Sequence, residues 1–92
     1  GVLTVTVMAG VGSGAPNNRL YALRFGSPTN ATIRVGSQTV AGGTRLVLAA
    51  NTTQTTFTVN RISSSAGATV PLVVEDDCGD WSTFVGGGPT AF

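Results

Sequence analysis

Apolar and polar residues alternate along most of this 92-residue chain, in short runs separated by glycine, proline, asparagine and serine. A period of two indicates β-strands with one buried face, and no apolar stripe with helical spacing interrupts the pattern. We therefore expect an all-β fold, a single antiparallel β-sandwich of the Ig-like or jelly-roll-like kind with about seven or eight short strands. The expected strands cover 2–8, 19–25, 32–35, 37–41, 45–49, 53–62 and 69–75, with a short edge strand at 83–85.

The phase of each run predicts which side chains face the core. Tyr21 is in phase with Leu23 and Phe25, which favours a core tyrosine with its hydroxyl at the rim. The alternative for Tyr21 is an exposed ring on which a ligand stacks. Residues 10–18 are expected to form a loop, and the Gly-Gly pair at 42–43 a hairpin-type turn.

Composition limits the kinds of partner. Ninety-two residues make one domain, spanning 1–92. Five arginines spread along the chain oppose four acidic residues, without lysine or histidine, for a formal charge of +1. Nucleic-acid binding needs clustered cations and is not expected, and no apolar stretch approaches the roughly 20 residues of a membrane span. A lysine-free surface of threonine, serine, asparagine and glycine is typical of secreted bacterial β-modules, so we expect an extracellular location.

Cys78 is the only cysteine, so no disulfide framework is expected. A lone thiol is usually a small buried hydrophobe, and without a histidine to act as its base Cys78 is not expected to be a nucleophile. The sequence opens at Gly1 directly into a strand-like run. No signal peptide is therefore expected, and the chain looks like a mature or excised domain.

The acidic residues and the only tryptophan lie together in the segment 75–88. An exposed Trp81 would offer a flat apolar face for the C–H side of a sugar ring, with an N–H donor at its edge. The other interpretation is that Trp81 closes one end of the sandwich. Its small polar neighbours at 79–83 are typical of a loop surface, which favours exposure. Asp77 and Asp80 would then accept hydrogen bonds from sugar hydroxyls.

A calcium site is an alternative use of the same carboxylates. Asp76, Asp77 and Asp80 are near enough in sequence to ligate one Ca²⁺, which prefers several carboxylate and carbonyl oxygens. Their spacing is not that of an EF-hand loop, and Asp-Gly pairs also form simple turns. Glycosidase chemistry needs two carboxyl groups about 5–10 Å apart across a cleft. Because all four acids occupy one segment, the chain is not expected to be an enzyme.

A second candidate surface is the polar face of the run at 53–62. Gln54 begins this face, and Arg34 and Gln38 are expected beside it on neighbouring strands. Hydroxyl, amide and guanidinium groups suit an extended oligosaccharide, whose hydroxyls need both donors and acceptors. The plainer alternative is a solvated outer face, with Arg34 as the residue that most favours binding.

Two runs carry a resemblance to a known family. The segment from Val70 to Phe92 holds Asp-Asp-Cys-Gly-Asp-Trp followed by Gly-Gly-Gly, and Asn-Arg-Leu-Tyr-Ala-Leu-Arg-Phe covers 18–25. The segment from Val70 to Phe92 resembles a terminal segment of extracellular multidomain proteins of environmental bacteria, including cellulase-associated tails, and the run at 18–25 belongs to the same pattern. The whole chain is similar to carbohydrate-binding module family 81, which accompanies family 5 glycoside hydrolases. The resemblance implies a β-sandwich that binds β-1,4-glucan and cello-oligosaccharides, with β-1,3- or mixed-linkage glucan and xyloglucan as further ligands, and keeps a linked glycoside hydrolase near plant polysaccharide.

Functions of different classes stay open at this point. The first is a non-catalytic module that binds single glucan chains weakly and raises the local concentration of a linked catalytic domain. The second is a structural Ig-like spacer or an extracellular filament subunit, with the strand at 1–8 donated to a neighbouring copy. A calcium-stabilised adhesive module is the third.

Overall fold

The computed structural model describes residues 1–9 and 18–92, in which eight strands form two four-stranded antiparallel sheets. The predicted all-β sandwich is confirmed, while the loop predicted at 10–18 lies almost wholly outside the described residues. Those two ranges hold no helix long and apolar enough to cross a membrane. The strands are β1 (Val2–Met8), β2 (Leu20–Phe25), β3 (Ala31–Val35), β4 (Gln38–Val40), β5 (Arg45–Val47), β6 (Gln54–Arg61), β7 (Ala68–Asp76) and β8 (Gly79–Gly87).

The chain passes repeatedly between the two sheets. The first sheet has the order β1-β6-β3-β4 and the second the order β5-β2-β7-β8. Gly43 has a φ of 86°, and Thr44 N–H donates to the Ala41 carbonyl at 3.3 Å, so a turn does form there. It is not the hairpin turn that the sequence predicts, because β4 and β5 belong to different sheets. The residues of this turn reverse the chain direction, but they do not determine which strand the next segment pairs with.

Phenylalanine rings join the two sheets at the centre of the core. Phe57 of β6 and Phe25 of β2 meet edge to face, with ring centroids 5.2 Å apart and an interplanar angle of 83°. Strand β7 alternates strictly between buried and half-buried residues, as expected for a strand with one face on the core. The other buried apolar residues of the core are Val7, Ala9, Leu20, Leu23, Ala31, Ile33, Val59, Ala68, Val70, Leu72 and Val74.

Strand β8 is much longer than the sequence predicts. The pattern indicates a short strand at 83–85 and a loop around Trp81, whereas β8 has nine residues and pairs along the whole of β7. The cause is a tight hairpin in which only Asp77 and Cys78 join the strands and Gly79 takes a φ of 106°. With the register set by this turn, backbone pairing outweighs the weak strand propensity of a glycine-rich segment. The loop prediction was wrong, and Trp81 lies on a strand.

A β-bulge changes the expected phase of β2. Leu20 pairs with Asp76 and Ala22 pairs with Glu75, so two steps along β2 match one step along β7. Tyr21 is the extra residue, and a bulge of this kind turns a side chain away from the regular alternation. Its side chain is 49% exposed, so the predicted core position of Tyr21 was wrong. The predicted alternative, an exposed ring, describes its position.

Candidate functional site

The buried face of β7 ends in a carboxylate. Asp76 is in phase with the core residues of β7 and is only 6% exposed. Its Oδ1 accepts the Cys78 backbone N–H at 2.8 Å, which forms an Asx turn across the hairpin, and its Oδ2 accepts the Trp81 Nε1–H at 3.0 Å. These bonds offset the cost of removing a polar carboxyl group from water, so Asp76 holds both the turn and the indole in place.

Trp81 is partly a packing residue and partly a surface residue. It lies opposite the buried Val74 and therefore faces the core side of the sheet. Because β8 is an edge strand, 39% of Trp81 nevertheless stays exposed. The indole N–H, expected from the sequence to be a donor for a ligand, is held by Asp76 instead. The part of Trp81 that can meet a ligand is therefore its exposed ring surface, in an orientation that Asp76 restricts.

The neighbouring carboxylate holds the second aromatic ring. The Tyr21 hydroxyl donates to Asp77 Oδ1, while Asp77 Oδ2 accepts the Arg19 backbone N–H at 3.0 Å. The Asp77 N–H in turn donates to the Arg19 carbonyl at 3.2 Å and to Asn18 Oδ1 at 3.1 Å. We call Tyr21, Asp76, Asp77 and Trp81 the aromatic–carboxylate cluster. Its two adjacent carboxylates hold two partly exposed rings at the tip of one hairpin.

The Tyr21 phenol should titrate at unusually high pH. Its hydrogen bond to Asp77, together with partial burial and the nearby negative charge, raises the pKa of Tyr21 above its ordinary 10.0. A raised pKa favours the neutral phenol in the folded state, so this stabilisation is complete below pH 10.0 and is lost as pH rises through the folded pKa. Because Tyr21 is the only tyrosine, an absorbance titration of tyrosinate measures this pKa directly.

Asp77→Ala provides the comparison for that titration. It should bring the pKa of Tyr21 back towards its ordinary value, because it removes both the acceptor and the charge. Equal tyrosinate titrations in the two proteins would contradict the hydrogen bond.

A separate ion cluster lies on the outer face of the second sheet. Arg45 binds Glu75 through two hydrogen bonds of 2.8 and 2.9 Å. Arg24 bridges the acids, with Nε 3.1 Å from Glu75 and Nη2 2.6 Å from Asp80. Sequence reasoning missed both arginines, since only the pairing of β2 with β5 and β7 brings them to these acids. Asp80, which was predicted to accept hydrogen bonds from sugar hydroxyls, is paired with Arg24 and belongs to this ion cluster.

Glu75 should make the stability of the domain sensitive to acid. Its hydrogen bonds to Arg45, reinforced by the charges of Arg45 and Arg24, hold the pKa of Glu75 below its ordinary 4.5. Depression of the pKa means that the stabilisation is present above pH 4.5 and is lost as pH falls through the folded pKa. Urea midpoints measured across the acid range should fall less steeply for Glu75→Gln than for the unaltered protein. If the urea midpoints of the two proteins fall equally steeply with pH, Glu75 makes no measurable contribution to the acid sensitivity of stability.

The three carboxylates predicted to bind calcium turn to different partners. Asp76 accepts from the indole, Asp77 from the phenol, and Asp80 from Arg24 on the outer face. Across residues 1–9 and 18–92, no group of three or more histidine, cysteine, aspartate or glutamate side chains is placed to hold a metal ion. Calcium binding stays a prediction, and it would require at least one of these carboxylates to leave its partner.

The remaining predicted site residues lie on the other sheet. Arg34 is exposed on β3 and donates to the Ser37 carbonyl at 3.1 Å, and Gln54 begins β6. Gln38 pairs with Val35, which packs against the core, so Gln38 is on the opposite face from Arg34. Thr39, and not Gln38 as predicted, lies beside Arg34. The structure therefore does not join these residues to the aromatic–carboxylate cluster.

Cys78 and two phenylalanines lie on β8 or close to it in the sequence. Cys78, expected to be a buried hydrophobe, is exposed because it lies within the two-residue turn. Phe92, which follows β8, packs against the core near the C-terminal end, where the Arg61 guanidinium lies 4.7 Å from its ring centroid. Phe84 is 76% exposed on the outer face, opposite Pro71, and is a matched control for Trp81 on the same strand.

Comparisons with protein-family models, with curated proteins and with solved structures give no match for this chain. The resemblance to carbohydrate-binding module family 81 therefore stays a prediction. The function has to be inferred from the geometry of the site.

Proposed function

We propose that this chain is a non-catalytic carbohydrate-binding module that binds single β-glucan chains at the aromatic–carboxylate cluster. The proposed ligands are cello-oligosaccharides and β-1,4-glucan, with β-1,3- or mixed-linkage glucan and xyloglucan as further candidates. In this proposal the module is extracellular and keeps a linked glycoside hydrolase near plant polysaccharide.

The observation that carries the proposal is the pair of rings held by adjacent carboxylates. Tyr21 is 49% exposed and Trp81 is 39% exposed, and each is restrained by a hydrogen bond to Asp77 or Asp76. A sugar ring presents C–H groups on its faces and hydroxyls at its edges, so it fits an aromatic face beside charged acceptors. Restrained rings lose less conformational freedom when a ligand binds, which supports affinity from few contacts.

Binding without catalysis agrees with the positions of the acids. Asp76 and Asp77 hold the rings, while Glu75 and Asp80 are paired with arginines on the outer face. All four belong to one hairpin, whereas glycosidases place two carboxyl groups on opposite sides of the sugar. In the proposal Asp76 and Asp77 hold the two rings in place, and Asp77 also accepts hydrogen bonds from sugar hydroxyls.

Isothermal titration calorimetry with a panel of glycans tests the proposal. Cellohexaose, mixed-linkage β-glucan and xyloglucan are titrated into the protein, with a malto-oligosaccharide of equal length as the α-linked control. We expect saturable heats for at least one β-glucan, weak affinity, and none for the control. Absence of heat for every β-glucan at millimolar sugar would overturn the proposal. A repeat with added Ca²⁺ and with chelator shows whether the ion contributes.

The alternative proposal, a structural Ig-like spacer or a strand-donating filament subunit, draws on β1 at the edge of the first sheet. In this structure β1 pairs with β6 of the same chain over its whole length. Donation would therefore require β1 to leave its own sheet and another copy to replace it. Concentration-dependent fibres together with an absence of glycan binding would favour this alternative.

A further inference from the structure

Among the described residues, no strand pairs with the outer edge of β1, and the sequence of this strand has an unusual symmetry. The strand reads Val-Leu-Thr-Val-Thr-Val-Met, and chemically similar residues lie at equal distances on either side of Val5. Thr4 matches Thr6, and Val2 matches Met8. A strand with this property can pair with an antiparallel copy of itself so that like meets like at every position.

The backbone of β1 is arranged for such pairing. Arg61 N–H donates to the Gly1 carbonyl and Ala9 N–H donates to the Thr53 carbonyl, both at 3.0 Å, and the register between these ends is continuous. Odd-numbered residues therefore direct their N–H and C=O groups to β6. The N–H and C=O groups of the even-numbered residues, Val2, Thr4, Thr6 and Met8, point to the open edge.

Within its own sequence β1 also lacks the residues that usually protect edge strands. It has seven residues without charge, proline or bulge, in a pattern of high β-propensity. The other edges are different: β4 and β5 have three residues each, and β8 carries Asp80 and has Gly86 at a φ of 107°. Val2 and Met8 are 62% and 58% exposed at opposite ends of the unprotected edge.

We propose that β1 pairs antiparallel with β1 of a second copy of this chain, about a two-fold axis at Val5. Thr4 then lies opposite Thr6 of the other copy, and Val2 lies opposite Met8, which covers both exposed apolar residues. Leu3 comes opposite Val7 on the core side. Each pair of even-numbered residues exchanges two N–H···O bonds. The first sheet of one copy and the first sheet of the other then form one continuous sheet.

The dimer should be weak and closed. One strand from each copy makes a smaller contact than the roughly 1,000 Å² or more of an ordinary specific interface. Sedimentation equilibrium up to millimolar protein should fit a monomer–dimer model. The pairing does not involve the aromatic–carboxylate cluster, which lies on the other sheet, so it is independent of glycan binding.

Charge complementation tests the register. Thr4→Lys with Thr6→Lys places two like-charge pairs across the axis, and Thr4→Glu with Thr6→Glu does the same with the opposite sign. Both threonines are exposed, so the monomer should fold normally. Each double variant alone should dimerise roughly tenfold or more weakly than the unaltered protein, because like charges directly opposite destabilise a strand pair. An equimolar mixture of the two should recover the dimer.

Thr56→Lys with Thr58→Lys is the matched control, because these threonines lie beside Thr6 and Thr4 on β6 but not at the edge. It should leave dimerisation within about twofold of that of the unaltered protein, since exposed charges away from the contact are screened. A monomer at every concentration, an open-ended assembly, or a mixture that fails to recover the dimer would each overturn the proposal.

Discussion

Replacement of Phe57 by alanine should destabilise the domain by about 3–5 kcal/mol. Phe57 is 2% exposed, and its ring meets Phe25 of the opposite sheet edge to face. The substitution removes buried apolar surface and leaves a cavity between the sheets, which neighbouring strands can close only in part. Against a total stability of roughly 5–15 kcal/mol for a small domain, this loss is a large fraction of the free energy of unfolding.

Urea unfolding measures this loss. Phe84→Ala is the matched control, because Phe84 is 76% exposed and its replacement should change stability by no more than about 0.5 kcal/mol. Phe57→Leu should recover much of the stability by refilling the cavity. A loss of less than about 1 kcal/mol for Phe57→Ala would show that these rings do not form the centre of the core.

Replacement of Trp81 by alanine should nearly abolish the proposed β-glucan binding, with at least a tenfold loss of affinity, which is about 1.4 kcal/mol or more of binding free energy. The substitution removes the larger of the two rings. It also leaves Asp76 Oδ2 without the indole donor, so a stability loss of about 1–3 kcal/mol should accompany it. Calorimetric titrations are therefore made at a temperature where circular dichroism shows the variant to be folded.

Two comparisons separate stacking from structural damage. Trp81→Phe loses the same hydrogen bond to Asp76 but keeps an aromatic face, so it should bind more tightly than the alanine variant. Phe84→Ala removes an exposed ring of the same strand on the opposite face and should leave affinity unchanged. If the folded Trp81→Ala variant keeps its affinity for β-glucan, Trp81 is not the ring on which the sugar stacks.

The strand pattern could be predicted because it depends on local alternation. β1 has the bounds that the sequence indicates, and Phe57 and Val59 are buried as their phase implies. Sheet membership could not be predicted in the same way. The Gly-Gly turn at 42–43 joins different sheets, and β8 depends on a neighbouring strand for a conformation that its own residues favour only weakly.

The candidate site was predictable only in outline. The concentration of acids around Trp81 indicates where to look, but the partner of each acid depends on register. The bulge at Tyr21 is invisible to a strict two-residue period, and it is the bulge that exposes the phenol and brings it to Asp77. Arg24 reaches Glu75 and Asp80 only because β2 and β8 flank β7 in the sheet.

The most direct test of the central claim is the emission of Trp81 during titration with cello-oligosaccharides and soluble β-glucans. Because Trp81 is the only tryptophan, any change reports on the aromatic–carboxylate cluster. We expect a saturable shift with β-glucans, at concentrations that agree with calorimetry, and no shift with the α-linked control. Constant emission at sugar concentrations that saturate the protein would place binding elsewhere, and constant emission without binding would leave Trp81 as a packing residue.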